Sequence, residues 1–277
     1  ETWKRTVYIS LVCVFCTAFG VSQLAPILPL YFHDLGVQTP EAMSLWSGLA
    51  TGATYIIVCL AAPFWGRVAD KKGRKITLIR SSFGMALCNA LIAFQTTPEG
   101  VVLIRLIQGL VSGFYSASIT LIASETPIER TGWALGLLAS ANLAGSLIGP
   151  LLGGYIADTV GIRNDFIIVG ALMGLAGVLA TIFIHENYVP KPNPEKLSIR
   201  KLKEQIPEFN SIVALCVASF IYAICIMSLQ PVISVYIKGI VPSDTENLAF
   251  IAGAVFSAMG IAQLMSSSPL GKLVDKI

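Results

Sequence analysis

The chain has 277 residues, of which 55% are hydrophobic and only 13% charged, against roughly 25% charged in an ordinary soluble domain. This composition excludes a disordered chain, a basic nucleic-acid-binding domain and a typical soluble enzyme. The formal net charge of +3 gives no argument for an acidic partner.

The placement of the charges points to lipid as the solvent. Eight stretches of 18 or more residues contain no Asp, Glu, Lys or Arg: 6–32, 42–66, 81–98, 106–124, 131–157, 166–184, 209–237 and 247–271. A bilayer-spanning helix needs about 20 mostly apolar residues. Only helices and closed barrels satisfy their backbone polar groups inside lipid, and a barrel would alternate in segments of about 10 residues. These stretches predict eight transmembrane helices. The first is too long for the apolar core of a cleaved signal peptide.

Span one carries Gln23 and the segment PILPLY at 26–31, and ends at His33 and Asp34. Span two carries Thr51, Thr54 and Tyr55. The loop after it, 66–75, reads GRVADKKGRK. Its glycines, Gly66 and Gly73, permit a tight turn between antiparallel helices, and Asp70 can pair with Arg74 at i+4. Span four places Arg105 about seven residues from one end. An arginine near the centre of a span costs about 2.5–3.5 kcal/mol on insertion scales and marks a functional site by default; the plainer reading is a side chain snorkelling to the interface. Arg105, Gln108, Ser112 and Tyr115 are spaced to share one helical face.

Span five contains Asn142, then Gly145, Gly149, Pro150, Gly153 and Gly154. Small residues every four positions allow close helix packing in lipid, and the proline allows a kink. Residues 186–209 read as a polar, proline-containing linker in which SIRKLKEQI forms a short basic surface helix or remains a solvated strand of chain. Spans seven and eight follow, with Tyr222 and Gln230 in span seven. The six cysteines all fall in spans and read as small apolar residues.

Sixteen of the nineteen Lys and Arg residues lie on one side of this topology. The rule that cytoplasmic loops are basic places the N-terminus in the cytoplasm and the chain in the cytoplasmic (inner) membrane as a multi-pass protein. The two parts flanking the linker also match each other. PILPLY at 26–31 corresponds to PVISVY at 231–236, and GRVAD at 66–70 to GKLVD at 271–275, both at an offset of 205 residues. This is the parallel repeat of a two-half transporter. The expected organisation is a six-helix bundle at 1–185, a cytoplasmic linker at 186–209 and the first two helices of a second bundle at 210–277. By this reading the chain is truncated after span eight, from a protein of about 400 residues.

The three motifs together resemble the twelve-spanner drug:proton antiporter branch of the major facilitator superfamily, that is, a multidrug efflux transporter. Residues 66–75 match the superfamily loop signature, with Val68 where leucine is usual and Lys71 where arginine is common. Residues 105–109 match the span-four motif and 145–154 the antiporter motif of span five. The resemblance implies an all-α membrane fold of two six-helix bundles around a cavity that faces each side in turn. It implies a conformational gate of Gly66, Asp70, Gly73, Arg74 and Glu125, and a hinge or seal at Gly145, Gly149, Pro150, Gly153 and Gly154. It implies proton coupling at Arg105, assisted by Asp34 if spans one and four are adjacent. A cavity lined by Gln108, Ser112, Tyr115, Asn142, Gln23, Tyr222 and Gln230 suits amphipathic ligands.

The expected function is export of lipophilic drugs by proton antiport. The alternatives are export of one metabolite or sugar on the same fold, or a non-transporting sensor. The expected partners are a small-molecule substrate, protons and the lipid bilayer. No nucleic acid, metal or cofactor is expected beyond the proton gradient, and the chain is expected to act as a monomer and not as an enzyme. No acid lies in the middle of any predicted span, so the proton carrier is expected at Asp34 or in spans beyond span eight.

Overall fold

A computed structural model describes residues 2–186, 209–241 and 247–274. Ten helices occupy these residues: α1 Thr2–Ser22, α2 Leu24–Asp34, α3 Pro40–Lys72, α4 Arg74–Ala93, α5 Pro98–Val111, α6 Phe114–Glu125, α7 Ile128–Val160, α8 Ile162–Phe183, α9 Phe209–Ile240 and α10 Leu248–Val274. Among the described residues seven spans are long and apolar enough to cross a membrane, with α5 and α6 counted as one; an eighth apolar helix runs over Leu248–Ala262. The fold is an all-α membrane fold. Most of the predicted linker, its basic helix and Asp275 lie outside the described residues.

Local chemistry sets the helix ends. Thr39 and Thr97 each accept a backbone N–H three residues on, from Ala42 and Gly100, and a proline opens the helix behind each. A single glycine joins α3 to α4 and another joins α7 to α8. Gly73 and Gly161 have φ of +93° and +89°, a region that only glycine enters without strain. Each donates its N–H to the carbonyl four residues back, on Ala69 and Ala157.

Two predicted spans are interrupted. Span one turns at Gln23 because Pro26 has no N–H to bond the Ser22 carbonyl; the bonds either side, Gln23 N to Phe19 O and Ile27 N to Gln23 O, are both 3.4 Å long. Span four breaks at Ser112–Gly113, where Gly113 has φ of +114°.

Two other spans begin earlier than the charge gaps suggest. α4 starts at Arg74 and includes Arg80, which the sequence places in the basic loop. α8 starts at Ile162 and includes Asp165.

Helices α1, α7 and α8 pack together, α8 also packs on α4, and α3 packs on α5. One core gathers Ile27, Tyr31, Phe32, Ile92 and Phe166; a second gathers Val14, Leu78, Leu121, Leu138 and Ala176. Helices α9 and α10 meet this bundle near the end that carries Asp34 and Asp158. There Ser234 approaches the Ala25 carbonyl, and Asp158 meets the start of α10. Towards the other, basic face, residues 210–225 of α9 are exposed. The contacts between the two parts run from that end of α7 to its middle, at Leu147.

Candidate functional site

Arg105 sits two turns into α5 and is 6% exposed. Its Nη1 donates to Gln108 Oε1 at 2.8 Å, one turn on along the same helix. Thr54 Oγ1 on α3 donates to the Arg105 carbonyl at 3.0 Å. That approach needs Gly109, because a Cβ there would meet the Thr54 carbonyl. Ser112 continues the stripe by donating to the Gln108 carbonyl at 2.6 Å. Tyr115 lies beyond the break and is 36% exposed, with the helix restarted between it and the stripe. The Arg105 guanidinium meets no carboxylate among the described residues, and its Nε has no partner.

The break in span four is bridged from α3 and α4. Arg80 donates to the carbonyls of Leu110 and Ser112 at 3.1 and 3.0 Å, and Trp65 Nε1 donates to Leu110 at 2.7 Å. The Arg80 guanidinium also stacks 3.5 Å from the Trp65 ring centroid. The charge pattern alone places this arginine in the basic loop. It instead satisfies backbone that the glycine leaves open. A cavity of about 440 Å³ lies beside it, lined by Trp65, Gly66, Asp70, Arg74, Ser112 and Gly113 among others.

At that loop, the Glu186 carboxylate accepts the backbone N–H groups of Arg74 and Lys75 at 2.7 and 2.8 Å. A carboxylate at a helix N-terminus is favoured by the unpaired N–H groups and the helix dipole. The sequence places Glu186 in the linker, and only its three-dimensional neighbours identify it as a cap. Asp70 is exposed and Glu125 half-buried at the end of α6.

Span five forms two contacts at once. Gly145, Gly149 and Gly153 face α1: a Cβ would collide with the Phe15 carbonyl, the Phe19 carbonyl and Gln23 respectively. On its other side a Cβ at Gly154 would strike Ala249 of α10, and one at Gly253 of α10 would strike the Pro150 carbonyl. Ser257 donates to the Leu147 carbonyl at 2.6 Å, and Asp158 accepts the backbone N–H groups of Ala249 and Phe250 at 3.1 and 2.7 Å. Helix α7 thus joins the first bundle to the second through small residues and bare backbone.

The remaining candidates do not converge on one place. Asp34 is exposed and lies 3.8 Å from His33, and among the described residues it forms no ion pair with Arg105. Asn142 is half-buried and its carbonyl accepts Ser146. Tyr222 is 59% exposed and Gln230 half-buried on α9. Gln23 is fully buried, and its Nε2 donates to Asp165 Oδ2 at 3.0 Å.

Asp165 stands one residue before the charge-free stretch that predicts span six, so the sequence does not mark it as buried. It is 0% exposed, and its Oδ1 has no partner. The signal available was the first-turn position of an acid beside Gly161.

Residues 10–277 match the family model described as Major Facilitator Superfamily. A Proteus mirabilis protein named multidrug resistance protein MdtG is 36% identical over 277 residues, which is all of this chain and 69% of the relative. A Lactococcus lactis protein named multi-drug resistance efflux pump PmrA homolog is 40% identical over 274 residues, covering 99% of this chain and 67% of the relative. The chain thus spans about two-thirds of the length of these curated relatives. Among solved structures, that of the human organic anion transporter MFSD10 (TETRAN) is similar with a TM-score of 0.66 at 16% identity, covering 94% of this chain and 72% of that one. A D-xylose-proton symporter gives 0.66 at 14% identity, covering 100% and 70%. These two likenesses are of fold.

Proposed function

The chain belongs to the major facilitator superfamily, and from that premise we propose that the whole protein exports lipophilic or amphipathic small molecules across the cytoplasmic membrane by proton antiport. Its basic face is cytoplasmic by the distribution of Lys and Arg. It acts as a single multi-pass chain and catalyses no covalent chemistry. The relatives named for multidrug resistance support this substrate class.

The observation that carries the reading is the double contact of α7. Its glycines seat against α1 on one side, while Pro150 and Gly154 seat against α10 on the other. Contacts of bare backbone are short-range and shape-specific, so a small tilt of α7 separates the halves at this face. Alternating access needs such a seam, closed at one face while the other is open. Arg105 supplies a fixed positive charge within the first bundle, away from the seam.

The test is transport of ethidium by the whole protein in cells. Expressing cells are expected to accumulate less dye, and an uncoupler is expected to remove the difference. A difference that survives the uncoupler rules out antiport. The thermodynamics suffice: one charge crossing 100 mV is worth about 2.3 kcal/mol, and roughly 1.4 kcal/mol gives tenfold accumulation.

A further inference from the structure

We propose that Asp165 is the carboxyl that takes up and releases the coupling proton, with Gln23 passing its protonation state to span five. The proposal rests on the antiport reading above. It comes from two buried oxygens, one on each side chain of a bonded pair, that have no hydrogen-bond partner. Gln23 Nε2 donates to Asp165 Oδ2, while Asp165 Oδ1 and Gln23 Oε1 are both buried without any partner. Both unpartnered atoms are acceptors when the acid is ionised. A carboxylic acid is instead one donor and one acceptor, and so is the edge of a primary amide. A single proton on Oδ1 removes a buried charge and turns an unpartnered acceptor into a hydroxyl. On this assignment the conformation described here is the protonated one.

No other group supplies that compensation. Among the described residues no cation forms an ion pair with Asp165. Arg163, on the same helix, donates to the Gln95 carbonyl at 3.4 Å. On α7, both oxygens of Asp158 are occupied by α10 backbone. From α2, Tyr31 stacks 5.1 Å from the Phe166 ring and gives its hydroxyl to the Ile92 carbonyl, and His33 and Asp34 pair with each other. α4 offers only the Cys88 thiol on its buried face, and the nearest titratable group of α1, Cys16, is seven residues from Gln23, about two turns.

The placement fits a proton entering from outside. Asp165 is three residues into α8, a rise of about 4.5 Å, at the face opposite the basic loops. When that face opens, external water reaches Oδ1 and an O–H bond forms. Closure then traps the proton, and substrate binding from the cytoplasmic side returns it to cytoplasmic water, leaving the carboxylate. Loss of the proton puts a buried negative charge beside the Gln23 amide, which turns in response. It turns against Gly153, whose missing Cβ is the space that Gln23 Oε1 occupies. The same helix carries the seam with α10, so the proton and the seam share one mechanical element.

The experiment uses the whole protein in proteoliposomes with ethidium. Asp165→Asn keeps the shape and the bond from Gln23 but binds no proton; Asp165→Glu keeps the acid. Asp165→Asn is expected to lose at least tenfold in pH-gradient-driven uptake, and its exchange of labelled for unlabelled dye without a gradient is expected to lose the pH dependence of the wild type. Asp165→Glu is expected to retain driven uptake. Driven uptake preserved in Asp165→Asn overturns the proposal, and so does dye exchange by a monodisperse Asp165→Asn protein that follows pH as the wild type does. A wild type that exchanges dye but ignores the gradient overturns the antiport reading, and this proposal falls with it. If Asp165→Asn fails to fold, infrared difference spectra on adding ethidium decide. A protonated-carboxyl band sensitive to labelled aspartate in wild type, and to labelled glutamate in Asp165→Glu, supports the assignment. Its absence overturns it.

Discussion

The protein buries one ionisable side chain at Arg105 and another at Asp165, and it anchors them differently. Arg105 is held by Gln108 on its own helix, three residues away. Asp165 is held by Gln23, 142 residues away on another span. A bond within one helix travels with that helix and survives any rigid-body motion. A bond between two spans breaks or reforms when they shift. The first pair is therefore a fixed source of charge, and the second is able to sense movement. The packing follows the same division: Gly109 locks α5 onto α3, whereas the glycines of α7 divide their contacts between α1 and α10.

The sharpest way to break this contrast is Gln23→Leu, which removes the partner of Asp165 from another span. Stranding an ionised buried group costs about 3–5 kcal/mol, and stranding a neutral one about 1–3 kcal/mol. The loss of thermal stability is expected to grow as pH rises, since a higher pH favours the ionised acid. A loss independent of pH would make the two sites alike. Next in size, Arg105→Met is expected to reduce driven transport at least tenfold and to cost about 1–3 kcal/mol through the stranded Gln108. Adding Gln108→Met is expected to restore stability but not transport; unfolding midpoints and dye flux separate the two. Gly73→Ala forces a side chain to φ of +93° and into Glu186, with an expected cost of about 1–3 kcal/mol measured by thermal denaturation. The smallest effect is expected for Thr54→Val, which removes one bond between α3 and the Arg105 carbonyl at about 1 kcal/mol and leaves flux within twofold.

The sequence makes one of these sites far more legible than the other, for a physical reason. Arg105, Gln108 and the glycines of α7 are local patterns: helical spacing alone puts them on a face, and an interior charge is conspicuous in an apolar run. The spans themselves follow from the same absence of charge. That criterion fails at helix ends, where a charge can be helical and buried. Arg80 and Asp165 both stand one step outside a charge-free stretch, and both lie inside a span. Gln23 was recognised as a polar residue in span one and given to the cavity, because nothing in its own segment names a partner beyond α7. The breaks at Gln23 and at Ser112–Gly113 had visible causes in Pro26 and Gly113, but a proline or glycine in a span permits a break without requiring one.

Paired spin labels across the seam test the central claim most directly. Thr159→Cys on α7 and Asn247→Cys before α10, in a whole protein otherwise free of cysteine, flank the contact between Asp158 and the start of α10. Pulsed electron resonance is expected to give a short distance at low pH and a second, longer one that gains population as pH rises. One unchanging distance across pH, with and without ethidium, would contradict a seam that opens when Asp165 loses its proton.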